Sequence, residues 1–159
     1  MKIDIYTDGS ARGNPGPGGY GIVMISGDYR KELAQGFRLT TNNRMELLAV
    51  IVALEQIKDK GQEVLVTSDS KYVVDSVEKG WVFNWVKKSF KDKKNPDLWK
   101  RFLKIYSSHK VKFKWVKGHN NHIENEKCDS LAVQASQRDD LPADLAYEIE
   151  VKKNKGLFK

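Results

Sequence analysis

The sequence predicts an α/β domain in which a five-stranded mixed sheet carries helices on both faces. Two observations predict this fold class. Before residue 41, three consecutive segments are predicted as β-strands, and the first of them shows a two-residue hydrophobic alternation. Beyond that point, segments with helical periodicity alternate with two further strand-like segments, which is typical of parallel strands joined by helices. We therefore expect a three-stranded antiparallel meander extended by parallel strands.

The meander occupies the first quarter of the chain. Its first strand is predicted over Lys2–Asp8, where isoleucines alternate with polar residues and a carboxylate stands at the strand end. The segment GNPGPGG, Gly13–Gly19, is rich in glycine and proline and predicts a loop. The second and third strands are predicted over Tyr20–Ser26 and Arg30–Leu39, joined by a tight Gly-Asp turn.

A long helix is predicted after the meander. Thr41 or Asn42 can cap its first turn, and Gly61 is its predicted stop. The next segment, Glu63–Asp69, predicts a strand whose continuous apolar character is typical of a strand covered on both faces.

The remaining elements follow in the same way. They are a short helix over Ser70–Gly80, a helix over Pro96–Ser108, a strand over Val111–Gly118 and a helix over Asn125–Gln137. We expect one domain over residues 1–138. Residues 139–159 contain no motif, and their polar, lysine-rich end predicts a C-terminal tail that is a candidate for disorder.

Composition indicates one globular domain with a polyanionic partner. The chain has 159 residues, is 40% hydrophobic and carries a formal net charge of +7. Between Trp81 and Arg101, seven Lys or Arg residues face two Asp residues, so most of the excess charge lies in one segment. Such a concentration favours a nucleic acid as partner, although a run of charge is often only a solvated face.

Other features lead us to expect neither a membrane protein nor an exported one. The longest apolar run, Leu47–Leu54, is too short to cross a bilayer, and the N-terminus lacks the apolar region of a signal peptide. Cys128 is the single cysteine and cannot form an internal disulfide, which fits a reducing compartment. We expect a cytoplasmic monomer with no membrane partner.

Four acidic residues stand where a ligand site is expected. Asp8 and Asp69 end predicted strands, and Glu46 lies in the early turns of the long helix. Asp129 lies in the last helix, shortly after a Gly-His loop. Ligands of α/β sheets gather beyond the carboxyl ends of strands, and carboxylates that converge there repel one another unless a cation intervenes. An all-oxygen ligand set suits Mg²⁺ or Mn²⁺.

Each acid also has an ordinary structural interpretation. Asp69 could cap the helix that follows it, and Glu46 could form a capping box. Asp129 could lie on a solvated helix face, and Asp8 with Gly9 is a common turn dipeptide. The order and context of the four acids, rather than any one of them, favour a metal site.

The segments that carry these acids resemble bacterial ribonuclease H of type 1. They are YTDGSARGNPGPGGYG, TTNNRMELLAV, TSDSKYV, GWVFNWVKK and WVKGHNNHIENEKCDSLA, in family order between Met1 and Gln137. The resemblance implies the ribonuclease H-like fold. It also implies an endonuclease that cuts the RNA strand of an RNA–DNA hybrid and leaves 5′-phosphate and 3′-hydroxyl ends.

The resemblance assigns roles to the catalytic residues. The metal-binding acids of the family fall on Asp8, Glu46, Asp69 and Asp129. Two Mg²⁺ ions, or Mn²⁺ in their place, would stabilise the attacking and leaving oxygens, with Asp8 bridging both ions. Glu46 and Asp69 would hold the ion that activates water, and Asp129 the ion nearer the leaving group. The loop histidine of the family falls on His119, whose ordinary pKa suits proton transfer or product release.

The resemblance also implies substrate contacts. Asn14, Asn42 and Asn43 match minor-groove residues that distinguish RNA by its 2′-hydroxyl, although turn and cap chemistry would explain them as well. Tyr72 and Trp81 match positions that pack against deoxyriboses, and either could belong to the core. Thr41 matches a phosphate-binding position, and Lys87 and Lys88 belong to the basic segment.

Two other classes of protein remain. A resolvase or integrase of the same fold would cut DNA, but the unbroken TTNNRMEL and GHNNHIENEKCD segments argue against it. A catalytically inactive module that binds hybrid or double-stranded RNA is the second alternative, and the presence of all four acids argues against that class.

Overall fold

The computed structural model of the protein describes residues 2–118 and 122–157. It contains a five-stranded mixed sheet of order β3-β2-β1-β4-β5. The strands are β1 (Lys2–Ala11), β2 (Gly16–Ser26), β3 (Tyr29–Thr40), β4 (Glu63–Ser68) and β5 (Lys110–Trp115). The β1–β2 and β2–β3 pairs are antiparallel, whereas β4 is parallel to both β1 and β5. The predicted fold class is therefore confirmed.

Helices cover both faces of the sheet. They are α1 (Asn42–Glu55), α2 (Lys71–Glu78), α3 (Trp81–Lys87), α4 (Pro96–Tyr106), α5 (Ile123–Ser136) and α6 (Leu145–Leu157). Tyr20 of β2 points into the core that contains α1, while its neighbours Gly19 and Gly21 lie against the backbone of α5. Because adjacent strand residues face opposite sides, α1 and α5 cover opposite faces. None of the described helices is long and apolar enough to cross a bilayer.

Strand β1 continues past its predicted end at Asp8. Its parallel pairing with β4 stops at Thr7 and Ser68, but its antiparallel pairing with β2 runs on to Ala11. The predicted strand end at Asp8 therefore agrees with the end of the pairing between β1 and β4. It is wrong for the pairing between β1 and β2, which continues to Ala11. Asp8 lies just beyond the last parallel pair, next to the point where the chain leaves β4.

The predicted glycine-proline loop is shorter than expected, because β2 begins at Gly16 and includes the last four residues of that segment. Glycine is required there by close packing: a Cβ on Gly19 would overlap the backbone of α5, and one on Gly18 would overlap the carbonyl of Ser10. The glycines that suggested a loop are thus a contact surface of the sheet.

Two features of the helices differ from the sequence prediction: the end of α1 and the presence of α3. Helix α1 ends at Glu55 rather than at Gly61, and Gly61 instead donates its amide to the carbonyl of Ser108 at 2.8 Å. The basic aromatic segment after residue 80 contains the short helix α3, which was not predicted. The remaining predicted ends differ from the observed ones by a few residues.

The C-terminal segment is folded where the sequence suggested disorder. Residues 145–157 form α6, and Asp144 just before it is buried. Asp144 accepts hydrogen bonds from Arg44 Nε at 2.7 Å and from Thr40 Oγ1 at 2.7 Å. A single buried ion pair therefore ties this segment to the start of α1, a contact that local sequence patterns do not reveal. The domain boundary at residue 138 stays a prediction.

Candidate active site

Three of the four predicted acids come together at one edge of the sheet. Asp8 extends from β1, Glu46 from the second turn of α1, and Asp69 from the residue directly after β4. One carboxylate oxygen of each lies within 4.8 Å of the others. These acids are 38 and 23 positions apart in the sequence, and strand pairing and helix packing bring them together in one cluster.

Gly9 brings α1 close enough for Glu46 to reach the cluster. A Cβ on this residue would overlap the backbone of Met45 and Glu46, so any larger side chain would push the helix away from the sheet. The Gly9 amide donates to Asp8 Oδ1 at 2.9 Å and also to Glu46 Oε1. One backbone N–H therefore orients two of the three carboxylates.

Asp69 is held in place by its backbone. Its carbonyl accepts a hydrogen bond from Trp115 Nε1 at 3.0 Å, which links the end of β4 to β5. A Cβ on Gly118 would lie 2.8 Å from Asp69 Oδ2, so the absence of a side chain there leaves room for the carboxylate. The two neighbouring strand ends thus fix the position of the third acid.

The alternative interpretations of these three acids are wrong. Ser70, not Asp69, caps α2, since its hydroxyl accepts from Val73 N at 3.2 Å. Glu46 accepts from Gly9 on β1 rather than from an amide at the start of its own helix. Asp8 lies inside a strand and not in a turn.

The cluster concentrates negative charge in a poorly solvated place. Burial is the main reason why the pKa of Asp8 is raised to about 7. The charges of Asp69 and Asp129 raise this pKa further, whereas the hydrogen bonds with Glu46 and the Gly9 amide lower it in part. Burial also raises the pKa of Glu46 well above its ordinary value, with a further increase from its contact with Asp8. The cluster therefore resists full ionisation unless a cation compensates its charge.

One buried oxygen of the cluster has no protein partner. Glu46 Oε2 is buried and accepts no hydrogen bond within the part of the chain that the structure describes. A buried carboxylate oxygen without a partner is costly, and a divalent cation would satisfy it. The oxygen-only ligand set and the spacing of the three acids fit a hard cation such as Mg²⁺ or Mn²⁺.

The remaining predicted catalytic residues stand differently. Asp129 is partly buried on α5, and its charge contributes to the raised pKa of Asp8, which places it beside the cluster. It does not belong to the group of three closest acids among the described residues, and its role as a ligand stays a prediction. His119 lies outside the described residues, so its role also stays a prediction.

The predicted minor-groove residues surround the start of α1. Asn14 Oδ1 accepts from the amide of Asn42 at 2.9 Å, and Asn42 Oδ1 accepts from the amide of Ala11 at 2.6 Å. Thr41 is the N-cap of α1 and Asn43 is exposed beside it. The turn and cap chemistry considered for these residues is therefore present. Because the oxygens of Asn14 and Asn42 serve the backbone, contacts with nucleic acid would fall to their amide nitrogens.

The predicted DNA-side residues lie on α2 and at the start of α3. The Tyr72 hydroxyl accepts hydrogen bonds from Trp99 Nε1 at 2.8 Å and Asn95 Nδ2 at 3.1 Å, so this side chain is part of the core as well. Trp81 is 43% exposed at the start of α3, with Lys79 Nζ 5.4 Å from its ring centre. Lys87 and Lys88 are exposed at the end of that helix.

Sequence reasoning missed Arg44, which organises the region behind the site. Its buried guanidinium binds Asp97 of α4 through two hydrogen bonds of 2.8 and 2.9 Å and also binds Asp144. The sequence signal that could have identified it is an arginine beside the apolar residues of α1, and the structure leaves this side chain only 1% exposed. Since Arg44 is two residues from Glu46, its ion pairs fix the turn of α1 that enters the cluster.

A sheet of this order with a carboxylate cluster at the ends of its central strands defines a metal-dependent nuclease class. The family model for RNase H matches residues 1–137. Ribonuclease H of Trichodesmium erythraeum (strain IMS101) is 56% identical over 152 residues, which cover 92% of this chain and 96% of that protein. Ribonuclease H of Rippkaea orientalis (strain PCC 8801 / RF-1) is 53% identical, covering 98% and 95%.

Solved structures agree with the sequence relatives. LC9-RNase H1, a type 1 RNase H with the type 2 active-site motif, superposes with a TM-score of 0.76 at 34% identity, covering 85% of this chain and 72% of that one. LC11-RNase H1 in complex with RNA/DNA hybrid superposes with a TM-score of 0.62 at 29% identity, covering 84% and 95%.

The chain belongs to the ribonuclease H family. It is a metal-dependent endoribonuclease that cleaves the RNA strand of RNA–DNA hybrids.

Proposed function

We propose that Asp8, Glu46 and Asp69, joined by Asp129, hold two Mg²⁺ ions that drive hydrolysis of the RNA strand. The observation that carries this proposal is the convergence of three carboxylates within 4.8 Å around a buried, unpartnered oxygen of Glu46. Mn²⁺ has the same preference for oxygen ligands and is expected to substitute.

Divalent ions in such a cluster supply Lewis-acid stabilisation of the attacking and leaving oxygens of a phosphoryl displacement. The chain itself provides orientation and charge. The Gly9 amide keeps the Asp8 and Glu46 carboxylates directed toward one point, and the backbone contact from Trp115 keeps Asp69 beside them. Together these contacts pre-organise the ligands before the substrate arrives.

The negative cluster also accounts for the dependence on metal. A phosphate diester carries a negative charge, so it cannot approach three or four ionised carboxylates without a compensating cation. In the absence of metal, the raised pKa values of Asp8 and Glu46 show that the site already resists its own charge. Hydrolysis is proposed to release a 3′-hydroxyl and leave the 5′-phosphate on the downstream product.

Recognition of the hybrid is proposed to use the residues around the start of α1 together with Tyr72 of α2 and Trp81 of α3. The structure of LC11-RNase H1 contains an RNA/DNA hybrid, which supports the same substrate here. Asn14, Asn42 and Asn43 would contact 2′-hydroxyls of the RNA strand in the minor groove. Tyr72 and Trp81 would pack against the DNA strand, with Tyr72 offering its ring because its hydroxyl is already bonded to Trp99 and Asn95.

Further roles follow from the family pattern. We propose that Thr41 contacts a phosphate and that Lys87 and Lys88 hold the backbone of the duplex beside α3. His119 is proposed to transfer protons or to assist product release. A cytoplasmic, monomeric enzyme remains our expectation.

A panel of labelled substrates tests this function. RNA–DNA hybrid, double-stranded RNA, double-stranded DNA and single-stranded RNA are incubated with Mg²⁺, with EDTA, and with Mg²⁺ restored after EDTA. We expect internal cleavage of the hybrid's RNA strand alone, lost in EDTA and recovered with Mg²⁺, with products that carry 5′-phosphates. Cleavage of double-stranded DNA would favour the resolvase class. Binding of hybrid without cleavage under any condition would favour the inactive binding module.

A further inference from the structure

We propose that helix α6 forms one wall of the hybrid-binding groove and contacts the sugar–phosphate backbone of the substrate. This inference rests on the proposed function and extends the binding surface into a segment beyond residue 137, where the family model ends. It concerns a cleft of about 360 Å³ between α6 and the start of α1.

One face of α6 lines this cleft. The α6 residues that line it are Tyr147, Glu150, Val151 and Asn154. Their spacing of three, four and seven residues places them on a single helical stripe. Ile149, which lies between them in sequence, is 57% exposed and does not line the cleft. Only one face of α6 is therefore turned toward the cleft.

The opposite wall includes three residues already assigned to the substrate. Asn14, Thr41 and Asn43 line it together with Lys94 and Asn95. The cleft is thus continuous with the proposed minor-groove and phosphate contacts. A strand that touches Thr41 and Asn43 passes directly beside the Tyr147 stripe of α6.

One buried and one exposed ion pair hold the two walls in a fixed relation. Asp144, directly before α6, accepts hydrogen bonds from Arg44 and Thr40, which flank Thr41 and Asn43 of the opposite wall. Arg44 lies 5.7 Å from the ring centre of Tyr147. On the other side of the helix, Arg38 Nη2 binds Glu148 at 2.8 Å. A helix anchored at its base and flank can present its side chains at a constant distance from α1.

The chemistry of the cleft suits a nucleic-acid backbone. Six of the ten residues that line it carry an amide or a hydroxyl group, and such neutral groups bind phosphate and sugar oxygens without reading sequence. Asn154 supplies an amide from α6. The lining also contains two charged residues of opposite sign. Lys94 would attract a phosphate, and Glu150 would repel it. The two α6 residues Asn154 and Glu150 should therefore affect affinity in opposite directions.

Steady-state cleavage of hybrid in Mg²⁺ tests this arrangement with three variants. We expect Asn154→Ala to raise KM roughly three- to fivefold, the effect of one lost hydrogen bond, with kcat unchanged. Glu150→Gln should lower KM roughly two- to threefold at low salt, and the gain should fade as salt rises. Ile149→Ala is the matched control on the outer side of α6 and should leave KM unchanged. Thermal unfolding of each variant shows whether the helix remains docked.

Hybrids with either strand shortened stepwise identify the strand in the cleft. The difference between wild type and Asn154→Ala should disappear when the contacting strand, DNA or RNA, no longer reaches α6. A KM equal to that of wild type in both Asn154→Ala and Glu150→Gln would overturn the proposal. Equal KM changes in Asn154→Ala and Ile149→Ala would also overturn it, because they would indicate that both variants destabilise the helix. Failure of the wild type to cleave hybrid would instead overturn the proposed function.

Discussion

The Gly9 amide contacts two carboxylates at once, and this contact shows how single residues build the site. Asp8 and Glu46 both accept from it, although their charges repel and burial disfavours their ionised forms. The protein keeps this unfavourable arrangement in the metal-free state. The buried carboxylates therefore lower the folding stability of the metal-free protein, and a cation bound between them would raise it again.

Asp8→Asn should stabilise the metal-free protein at neutral pH. The pKa of Asp8 is raised to about 7 in the folded state, above the unfolded value near 3.9, so its ionisation costs stability as the pH rises through this window. The variant should be more stable than wild type by about 1–3 kcal/mol at pH 7.5 in EDTA, and the difference should vanish below about pH 4. Chemical denaturation across this pH range measures it. A variant less stable than wild type at pH 7.5 would contradict the electrostatic account.

Asp97→Asn should have the opposite pH dependence. Burial alone would raise the pKa of Asp97, but its hydrogen bonds and charge interaction with Arg44 outweigh this and hold the pKa below its usual value. Its contribution is therefore present above about pH 4 and is lost as the pH falls through the lower folded value. We expect the variant to lose about 1–2 kcal/mol at pH 7, since solvent screens a side chain that is 36% exposed. An equal loss at pH 2.5 would show that the pair is not responsible.

His119→Ala should lower kcat more than it raises KM. A histidine that transfers protons or assists product release acts on turnover, whereas the metal ions carry most of the transition-state stabilisation. Some activity should therefore remain. Steady-state rates between pH 6 and 9 measure the effect. A kcat equal to that of wild type across this range would remove His119 from the mechanism.

At the scale of elements, packing decided what the sequence pattern could not. The strand-like segments, both alternating and continuously apolar, predicted five strands, and a cap at Thr41 or Asn42 predicted the start of α1. The glycine-rich segment was interpreted as a loop because local preferences favour turns there, yet Gly18 and Gly19 belong to β2 and allow close contact with neighbouring backbone. Such a requirement comes from distant residues and leaves no local signal.

The basic segment around α3 should contribute affinity rather than chemistry. Lys87, Lys88, Lys91, Lys93 and Lys94 are exposed and lie on a different element from the three clustered acids. Replacing them together with Ala should raise KM with little change in kcat. The slope of log affinity against log salt should flatten by roughly 0.7–0.9 per lost phosphate contact. Hybrid binding in Ca²⁺ over a KCl series measures this slope.

The exposed lysines Lys58 and Lys60, in the loop after α1, provide a charge control for a double replacement of Lys87 and Lys88. Their replacement with Ala should leave the salt slope unchanged. If the basic-segment variant also keeps its affinity and salt slope, the segment is a solvated face.

At the scale of the whole molecule, the acidic cluster was predicted more accurately than the ends of the helices and strands. Asp8, Glu46 and Asp69 were identified from their places at strand ends and in an early helical turn, and the sheet topology brings them together. The C-terminal helix was not predicted, because its anchor is a pair between Asp144 and Arg44, separated by a hundred residues. Long-range ion pairs of this kind depend on the finished fold.

Glu46→Gln, assayed by single-turnover cleavage of hybrid over a range of Mg²⁺ concentrations, tests most directly whether the carboxylate cluster is the catalytic metal site. The glutamine keeps an oxygen that can accept from Gly9, so the fold should persist while one ligand charge is lost. We predict a cleavage rate at least about a hundredfold below wild type. Glu55→Gln, at the other end of α1 and paired with Arg101, should cleave like wild type. A Glu46→Gln enzyme that cleaves hybrid at the wild-type rate and with the wild-type Mg²⁺ dependence would contradict the account.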